Sequence, residues 1–495
     1  MMAEVTLVNR PVFFAQRKTM TASGETFDLV ILGGGPGGYV AALRAAQLGA
    51  RVALVEKARV GGTCLTIGCI PTKALLSSAE FYRAARAKSG ARGVDIPSVA
   101  VNWARMQQHK QDTVDQLVRG VEQLLSAKKV TLLRGEGRFV SPRHLQIVSA
   151  NETREIDAPR IIIATGAVPA TLPVPGANLP GVITSTEALS LERVPERLVI
   201  IGAGVIGIEF ASLYRALGAQ VTVLEMLPRI LIGVDEELAR RLLQLLRREG
   251  IDIRLSATVQ AIEDGEPLTV RYSDAQGEHT VQGDYVLVAT GRVPLTRDLG
   301  IESLGITMNR DAIAVNERME TNVEGVYAIG DVVGGWMLAH VASAEGKVAA
   351  ENALGKSRAI DYRAVPNCVY SMPELASVGL TEQDVRAAQI PIKVGKFPFS
   401  ANARALSFRE TNGLVKIVAH AETGVILGMH ILGPRATDLI AEGALAVQAG
   451  VTAREVGASD SRAPHSARSG DGSGVGRDRR DDSLSARHCG RVSNL

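Results

Sequence analysis

The sequence contains two copies of one pattern: an apolar strand, a glycine-rich turn, a helix and a second strand that ends in Glu. The first copy begins with FDLVILGGGPGG at 27–38 and ends at Glu56, and the second begins with RLVIIGAGVIG at 197–207 and ends at Glu225. Glu56 follows Gly33 at the same spacing as Glu225 follows Gly202. An internal repeat of this length predicts an α/β chain with two similar domains.

Each part of the repeated pattern has a chemical use. The first glycine makes the turn, the second lets the backbone approach a pyrophosphate, the third lets the helix pack on the strand, and the final acid binds ribose hydroxyls. A single glycine turn often binds nothing, but two complete units favour two Rossmann-like dinucleotide-binding domains. The residues expected at the two dinucleotides are Gly33, Gly35, Pro36, Gly38 and Glu56 in the first unit, and Gly202, Gly204, Val205, Ile206, Gly207 and Glu225 in the second.

Each unit closes with a further apolar strand. IIIATGAVP at 161–169 and YVLVATGRVP at 285–294 both stop at Ala-Thr-Gly, and GVYAIGD at 325–331 ends in Asp331. The first two are also consistent with ordinary buried strands that have tight exits. An acid at the carboxyl end of a buried strand is typical of a group that binds a hydroxyl-rich cofactor chain.

Two of the four cysteines lie close together, in CLTIGC at 64–69. They precede the expected helix CIPTKALLSSAEFYRAA, and the positive end of a helix lowers the pKa of a thiol. Structural cysteines or half of a zinc site are the alternatives. The second fails because no further Cys or His pair stands at ligand spacing, so no metal site is expected. The spacing and setting favour redox chemistry at Cys64 and Cys69.

The composition limits the function. Hydrophobic residues make up 46% and charged residues 22%, and a net charge of +3 does not favour a nucleic-acid partner. No apolar run reaches about 18 residues, the length that a membrane-spanning helix needs. The small number of cysteines indicates a reducing, cytoplasmic setting. Residues 1–26 lack the features of a secretory signal and are expected to be a flexible extension.

These motifs together resemble one family. The run GGTCLTIGCIPTK at 61–73, placed between the two glycine turns and followed by the ATG strands and AIGD, is similar to the FAD-dependent pyridine nucleotide-disulfide oxidoreductases over about residues 27–456. The resemblance implies a glutathione reductase-like fold with an α+β C-terminal interface domain that forms a homodimer. The expected limits are 27–155 and 283–354 for the FAD domain, 156–282 for the NAD domain and 355–456 for the interface domain.

The resemblance also implies roles for single residues. Cys64 and Cys69 form a redox-active disulfide in which Cys64 meets the substrate and Cys69 lies against the flavin, while Lys73 lies near the flavin ring and pairs with Glu209. Glu225 favours NAD over NADP because its carboxylate repels a 2′-phosphate. The further residues expected at FAD are Gly62, Thr63, Gly137, Thr165, Gly166, Asp331 and Ala339, and those expected at NAD are Val259 and Gly291.

Within the family, the pattern is most similar to the members that oxidise dihydrolipoamide. The implied partner is a lipoyl domain of a 2-oxo acid dehydrogenase or glycine-cleavage complex. Mercuric reductases end in a vicinal cysteine pair, whereas the C-terminal stretch here has only Cys489, and glutathione reductases favour NADP. Another disulfide reductase of the family is therefore a weaker alternative. Cys368, on an apolar strand, is expected in the core.

The last residues depart from the family. The family pattern of His-Pro-Thr followed by Glu supplies a base to the partner subunit, but residues 457–495 read GASDSRAPHSARS and continue polar to the end. Such a segment cannot bury a core and is expected to be disordered. A possible coding sequence for it, read one base later, gives LIHAHPTLREAVM, which suggests a frameshift. The base is then missing, since His465 is out of frame, the dimer is weakened, and a cofactor-binding flavoprotein with little turnover becomes the alternative function.

Overall fold

The structure is a computed structural model that describes residues 25–88 and 90–458. The predictions for residues 1–24 and 459–495, including His465, lie outside these ranges. Two residues of each expected flexible segment are nevertheless ordered. Glu25–Thr26 forms a short strand that pairs with residues 156–157, and residues 457–458 end a helix whose Val456 is buried.

The helices and strands are labelled in chain order. The helices are α1 Pro36–Gln47, α2 Gly62–Thr66, α3 Cys69–Lys88, α4 Trp103–Ala127, α5 Ser185–Ala188, α6 Val205–Ala216, α7 Glu236–Arg248, α8 Ala339–Ala353, α9 Glu382–Ala387, α10 Ala403–Phe408, α11 Ala436–Ala449 and α12 Ala453–Ala458, with 3-10 turns at Gly90–Arg92, Ile301–Leu304, Gly330–Val333 and Phe399–Ala401. The strands are β1 Glu25–Thr26, β2 Leu29–Leu32, β3 Val52–Glu56, β4 Thr131–Arg134, β5 Glu136–Ser141, β6 His144–Val148, β7 Thr153–Asp157, β8 Ile161–Ile163, β9 Ala167–Pro169, β10 Val182–Ile183, β11 Arg197–Ile201, β12 Gln220–Leu224, β13 Asp252–Arg254, β14 Thr258–Glu263, β15 Leu268–Asp274, β16 Gly277–Gly283, β17 Tyr285–Val288, β18 Arg292–Pro294, β19 Met308–Asn309, β20 Ala312–Ile313, β21 Val326–Ala328, β22 Asn367–Val369, β23 Glu374–Gly379, β24 Ile392–Pro398, β25 Leu414–His420 and β26 Ile426–Gly433.

The first domain is built on a parallel sheet with the strand order β21-β8-β2-β3-β4. Strand β2 is buried on both faces, which is why it reads as a continuous apolar run. Leu29 and Ile31 pack with the helical core around α1, α4 and α8, whereas Val30 and Leu32 pack towards the sheet β1-β7-β6-β5. The expected Rossmann-like α/β domain is confirmed.

The second domain repeats this plan. Its parallel sheet has the order β10-β17-β11-β12-β13, and the antiparallel sheet β14-β15-β16 covers one face. Leu198 and Ile200 face the helical core that contains α6 and α7, and Val199 and Ile201 face the antiparallel sheet. The sequence repeat therefore corresponds to a repeat of three layers.

Two expected domain limits are displaced by one strand. Strand β8 pairs with β2 and so belongs to the first sheet, although the NAD domain was expected to begin at 156. Strand β17 pairs with β11 and completes the second sheet, although that domain was expected to end at 282. Each closing strand adds to its own sheet before the chain leaves the domain. The crossings between the domains lie at the antiparallel pair β9 and β18.

The third domain is an antiparallel sheet with the order β22-β23-β26-β25-β24, against which α11 packs. This is the expected α+β architecture. Cys368, on β22, is partly buried beside this core, in line with its expected structural role. Within residues 25–88 and 90–458, no helix combines the length and apolar character that crossing a membrane requires.

Candidate active site

The first glycine turn forms a cradle in which side chains do not fit. Gly33 has φ of +106°, and a Cβ there would lie 2.2 Å from the carbonyl oxygen of Ala164. A Cβ on Gly38 would lie 1.8 Å from the carbonyl oxygen of Gly33. Helix α1 begins after Gly35 with Pro36 as its first residue, and no side chain of the described residues caps its N-terminal N–H groups. These groups suit the pyrophosphate of a dinucleotide.

The second turn has the same geometry. Gly202 has φ of +109°, and a Cβ there would lie 2.5 Å from the carbonyl oxygen of Ala289. A Cβ on Gly207 would lie 2.0 Å from the carbonyl oxygen of Gly202. Helix α6 begins at Val205 and Ile206, again without a side-chain cap. The two predicted pyrophosphate sites are therefore equivalent in construction.

The two predicted ribose acids are fixed to their turns by backbone hydrogen bonds. The N–H of Gly34 donates to Oε2 of Glu56 at 2.7 Å. In the second unit, the N–H of Ala203 donates to Oε2 of Glu225 at 2.6 Å, and the N–H of Leu227 donates to Oε1 at 2.9 Å. Each carboxylate oxygen can accept a further bond, so both acids can bind hydroxyls.

The two thiols are brought into hydrogen-bonding contact. Cys64 lies in the short helix α2 and Cys69 is the first residue of α3, and both are free thiols. The thiol of Cys64 donates to Cys69, which together with the nearby cation of Lys73 lowers the pKa of Cys69 to about 7, although burial opposes the shift. The same bond, together with burial, raises the pKa of Cys64. Cys69 is therefore the thiolate of the pair near neutral pH.

Lys73 and Glu209 form the expected ion pair. The Nζ of Lys73 lies 2.8 Å from Oε2 and 2.9 Å from Oε1 of Glu209, whose side chain is only 5% exposed. The N–H of Tyr370 donates to the same carboxylate at 3.0 Å, and Lys73 lies over the Tyr370 ring at 4.4 Å. Residues of all three domains thus meet at this pair.

Asp331 lies where the closing strand β21 leads into the turn Gly330–Val333. Burial raises the pKa of Asp331, and Arg292 opposes that rise. The preceding N–H, of Gly330, donates to the buried carboxylate of Glu345 at 2.6 Å. Ala339 is the first residue of α8, whose N-terminus also lacks a side-chain cap. Both residues lie in the same segment that closes the first sheet.

The remaining predicted residues have identifiable places. A Cβ added to Gly62 would lie 2.7 Å from Cα of Gly35, and one added to Gly137 would lie 2.6 Å from Cδ2 of Leu32. Gly137 is therefore explained by packing alone. At the crossing between domains, the Thr165 hydroxyl donates to Leu295 at 2.7 Å, and Gly166 and Gly291 have φ of +75° and +128°. Val259 lies at a register shift in β14.

Sequence reasoning did not single out Arg292. Its guanidinium lies 3.8 Å from Oδ2 of Asp331 and 3.5 Å from the hydroxyl of Thr63, and it donates to the carbonyl of Ala167. Burial lowers its pKa. The Arg that follows Ala-Thr-Gly in VATGRVP was the available signal, because Arg is rarely buried without a specific partner. Tyr370 was also missed, and its contribution through a backbone N–H leaves no sequence signal.

The titratable side chains of the described residues do not have the arrangement that a metal ion requires. Among residues 25–88 and 90–458, no group of three or more His, Cys, Asp or Glu side chains is arranged to hold a metal ion. The groups brought together are instead two thiols, an ion pair and two uncapped glycine turns. This combination suits electron transfer between a dithiol and two dinucleotides.

Comparisons with known proteins give the same result. The family model for pyridine nucleotide-disulphide oxidoreductases matches residues 27–346, and the model for their dimerisation domain matches residues 365–469. The chain is 42% identical over 451 residues to the mitochondrial dihydrolipoyl dehydrogenase of Pisum sativum, covering 90% of each protein. It is 44% identical over 436 residues to the dihydrolipoyl dehydrogenase of Geobacillus stearothermophilus, covering 87% of this chain and 92% of that protein.

A solved structure shares the whole fold. The flavoprotein disulfide reductase RclA of Escherichia coli, determined as a Cu(II) complex, superposes with a TM-score of 0.82 at 30% sequence identity and covers 91% of this chain and 99% of its own. The glycine turns, the thiol pair and these matches agree over nearly the whole described chain. This protein is therefore an FAD- and NAD-dependent member of the pyridine nucleotide-disulphide oxidoreductase family.

Proposed function

We propose that this chain oxidises dihydrolipoamide to lipoamide, through a Cys64–Cys69 disulfide and FAD, with reduction of NAD. The observation that carries the proposal is the contact between the two thiols, with Cys69 at the start of α3 and its pKa lowered to about 7. The identity of more than 40% with dihydrolipoyl dehydrogenases supports this substrate.

The exchange begins at Cys64. A thiolate of the substrate attacks Sγ of Cys64 in the disulfide, the Cys64–Cys69 bond breaks, and Cys69 leaves as a thiolate. The second substrate thiolate then attacks the sulfur that is bound to Cys64, which releases cyclic lipoamide and the Cys64 thiol. A low pKa makes Cys69 a good leaving group. Two electrons have now moved from the substrate to the cysteine pair, and the protons of the dithiol are shared between Cys64 and solvent.

FAD, when bound, would supply an acceptor for this electron pair and for the proton of Cys64 as the disulfide re-forms, and a hydride donor for NAD. The residues of the chain hold the reactants for this step. Lys73 stabilises the Cys69 thiolate, and Glu209 with the N–H of Tyr370 fixes the position of Lys73. In this proposal Glu56 and Asp331 bind FAD hydroxyls, and Glu225 binds those of NAD.

The partner follows from the substrate. We infer that dihydrolipoamide is presented on a lipoyl domain of a 2-oxo acid dehydrogenase or glycine-cleavage complex. The match to a family dimerisation domain supports a homodimer. A cytoplasmic location fits a dithiol centre that must cycle between reduced and oxidised forms in a chain with few cysteines.

The test is anaerobic reduction of the FAD-bound protein by dihydrolipoamide. We expect the long-wavelength absorption of a thiolate beside oxidised flavin in the wild type and in Cys368→Ser, the matched control that removes a thiol outside the pair. Cys64→Ser should lose lipoamide turnover but keep electron transfer from NADH to an artificial acceptor. Absence of the absorption in FAD-bound wild type, or equal loss of both activities in Cys64→Ser, would contradict the proposal.

A further inference from the structure

A cavity of about 340 Å³ lies where the three domains meet, away from the thiol pair. The end of α3 forms one wall, the ends of α6 and α7 form another, and Met372 comes from the third domain. Its lining residues, which define the junction cavity, are Tyr82, Arg83, Arg86, Ser212, Arg215, Ala216, Gly218, Leu246, Glu249, Ile251 and Met372.

The junction cavity carries an excess of positive charge, since three guanidinium groups line it with a single carboxylate. Arg83 lies 3.4 Å from Glu249, so one positive charge is balanced. Arg215 donates to the carbonyls of Glu249 at 2.8 Å and Ala219 at 3.2 Å, which fix its position without neutralising it. Among the described residues, Arg86 makes one long contact, 3.4 Å, with the hydroxyl of Tyr82. Two positive charges are left for an anion.

Ser212 adds an independent observation. Ser212 is one of the residues that line the junction cavity, it is only 4% exposed, and within the described part of the chain its hydroxyl has no hydrogen-bond partner. Buried hydroxyl groups in native proteins are nearly always hydrogen-bonded, so an unpaired one needs an explanation. A hydroxyl beside two guanidinium groups can donate to the oxygen of a bound anion.

We propose that the junction cavity binds a compact oxyanion of the phosphate class, with Arg86, Arg215 and Ser212 as its donors. Guanidinium groups match the geometry of phosphate oxygens. The volume is at the lower end of the range for small-molecule sites, which excludes a third dinucleotide and suits inorganic phosphate or a small phosphomonoester. This inference does not depend on the proposed substrate.

A bound anion would join the helices that carry the redox residues. Helix α3 begins at Cys69 and carries Lys73, α6 carries Glu209, and the last turns of both helices line the junction cavity. A ligand that contacts both helix ends holds the first two domains in one arrangement. Because it binds only the folded chain, it stabilises the fold by an amount that rises with the logarithm of its concentration once that exceeds Kd.

The test is isothermal titration calorimetry on the full-length, FAD-bound protein with saturating NAD, so that both dinucleotide sites are filled. The probes are inorganic phosphate and glucose 6-phosphate, with chloride used to hold the ionic strength constant. We expect one site per chain, and an affinity about tenfold lower in Ser212→Ala and in Arg86→Gln, since each loses a charge-assisted hydrogen bond. The matched control is Arg105→Gln, which changes an exposed arginine on α4 and should bind phosphate as wild type does.

A second readout separates binding from folding. Ser212→Ala removes a hydroxyl that has no partner among the described residues, so it should unfold no earlier than wild type without phosphate. Phosphate should raise Tm in wild type and Arg105→Gln but raise it less in the two cavity variants. Tighter binding of glucose 6-phosphate assigns the site to phosphomonoesters, and tighter binding of phosphate assigns it to the free ion. Equal binding by all four proteins, or no binding by wild type, would overturn the proposal.

Discussion

The Nζ of Lys416 lies 2.8 Å from Oδ2 of Asp235, and both side chains are buried, at 2% and 0% exposure. Lys416 is on β25 of the third domain, and Asp235 caps α7 of the second, where it accepts from the N–H of Glu237 at 3.1 Å. Glu382 also contacts Lys416 at 2.7 Å. This charged cluster fixes the second domain against the third.

Breaking this pair should destabilise the protein. Asp235→Asn keeps a side chain that can cap α7 but removes the negative charge that faces the buried Lys416. The free energy of unfolding is expected to fall by on the order of 3 kcal/mol. The control is Lys396→Met, since Lys396 pairs with Glu237 at the surface with 45% exposure, and its expected cost is about 0–1 kcal/mol. Urea unfolding of the FAD-bound proteins measures both. Equal midpoints for the two variants would show that burial does not decide the effect.

Lys73 should control the ionisation of Cys69. The cation of Lys73 lowers the pKa of Cys69, and the carboxylate of Glu209 raises it. Lys73→Met should therefore raise that pKa, by about one unit or more, and Glu209→Gln should lower it. A pH titration of the long-wavelength absorption of the reduced, FAD-bound protein measures the midpoint. The exposed Lys347→Met should leave it unchanged, and a shift of the same sign in both site variants would contradict the assignment.

His430 should make the protein less stable in mild acid. Burial lowers its pKa, an effect that Asp235 opposes and Lys416 adds to, so the imidazole stays neutral in the folded chain. In the unfolded chain this imidazole binds a proton as the pH falls below about 6.5. The contribution of His430 to the free energy of unfolding is therefore fully present above that pH and is lost below it, by up to about 1.4 kcal/mol per pH unit. Unfolding free energies between pH 5 and 8 should show a smaller slope in His430→Gln than in wild type. The exposed His109→Gln should keep the wild-type slope.

Two glycines of the second turn should respond differently to alanine. A Cβ on Gly204 would meet no atom of the described residues within 4 Å, whereas one on Gly207 would lie 2.0 Å from the carbonyl oxygen of Gly202. Gly204→Ala should fold and retain FAD but bind NADH about tenfold more weakly, because the methyl group occupies the path of the pyrophosphate. Gly207→Ala should lower Tm. Normal NADH affinity in a well-folded Gly204→Ala would remove this turn from the NAD site.

The sequence by itself determined the features that depend on neighbouring residues. The glycine turns at Gly33 and Gly202 could be read because positive φ and close backbone approach require glycine locally. The acids Glu56 and Glu225 follow at a fixed spacing, because one helix and one strand return each acid to its own turn. The cysteine pair was visible for the same reason, since α2 and the first residue of α3 are adjacent in the chain.

Only the tertiary structure decided the relationships that span domains. Lys73 and Glu209 are 136 residues apart, and their pairing was expected only from the family resemblance. The Lys416 cluster and the junction cavity had no local pattern at all, and the motif VATGRVP marked Arg292 without indicating its contact with Asp331. The domain limits were displaced because apolar strands such as β8 and β17 look alike in sequence, and only hydrogen bonding assigns them to a sheet. Long-range electrostatic and packing partners become neighbours only when the sheets and helices are assembled, so no local pattern in the sequence specifies them.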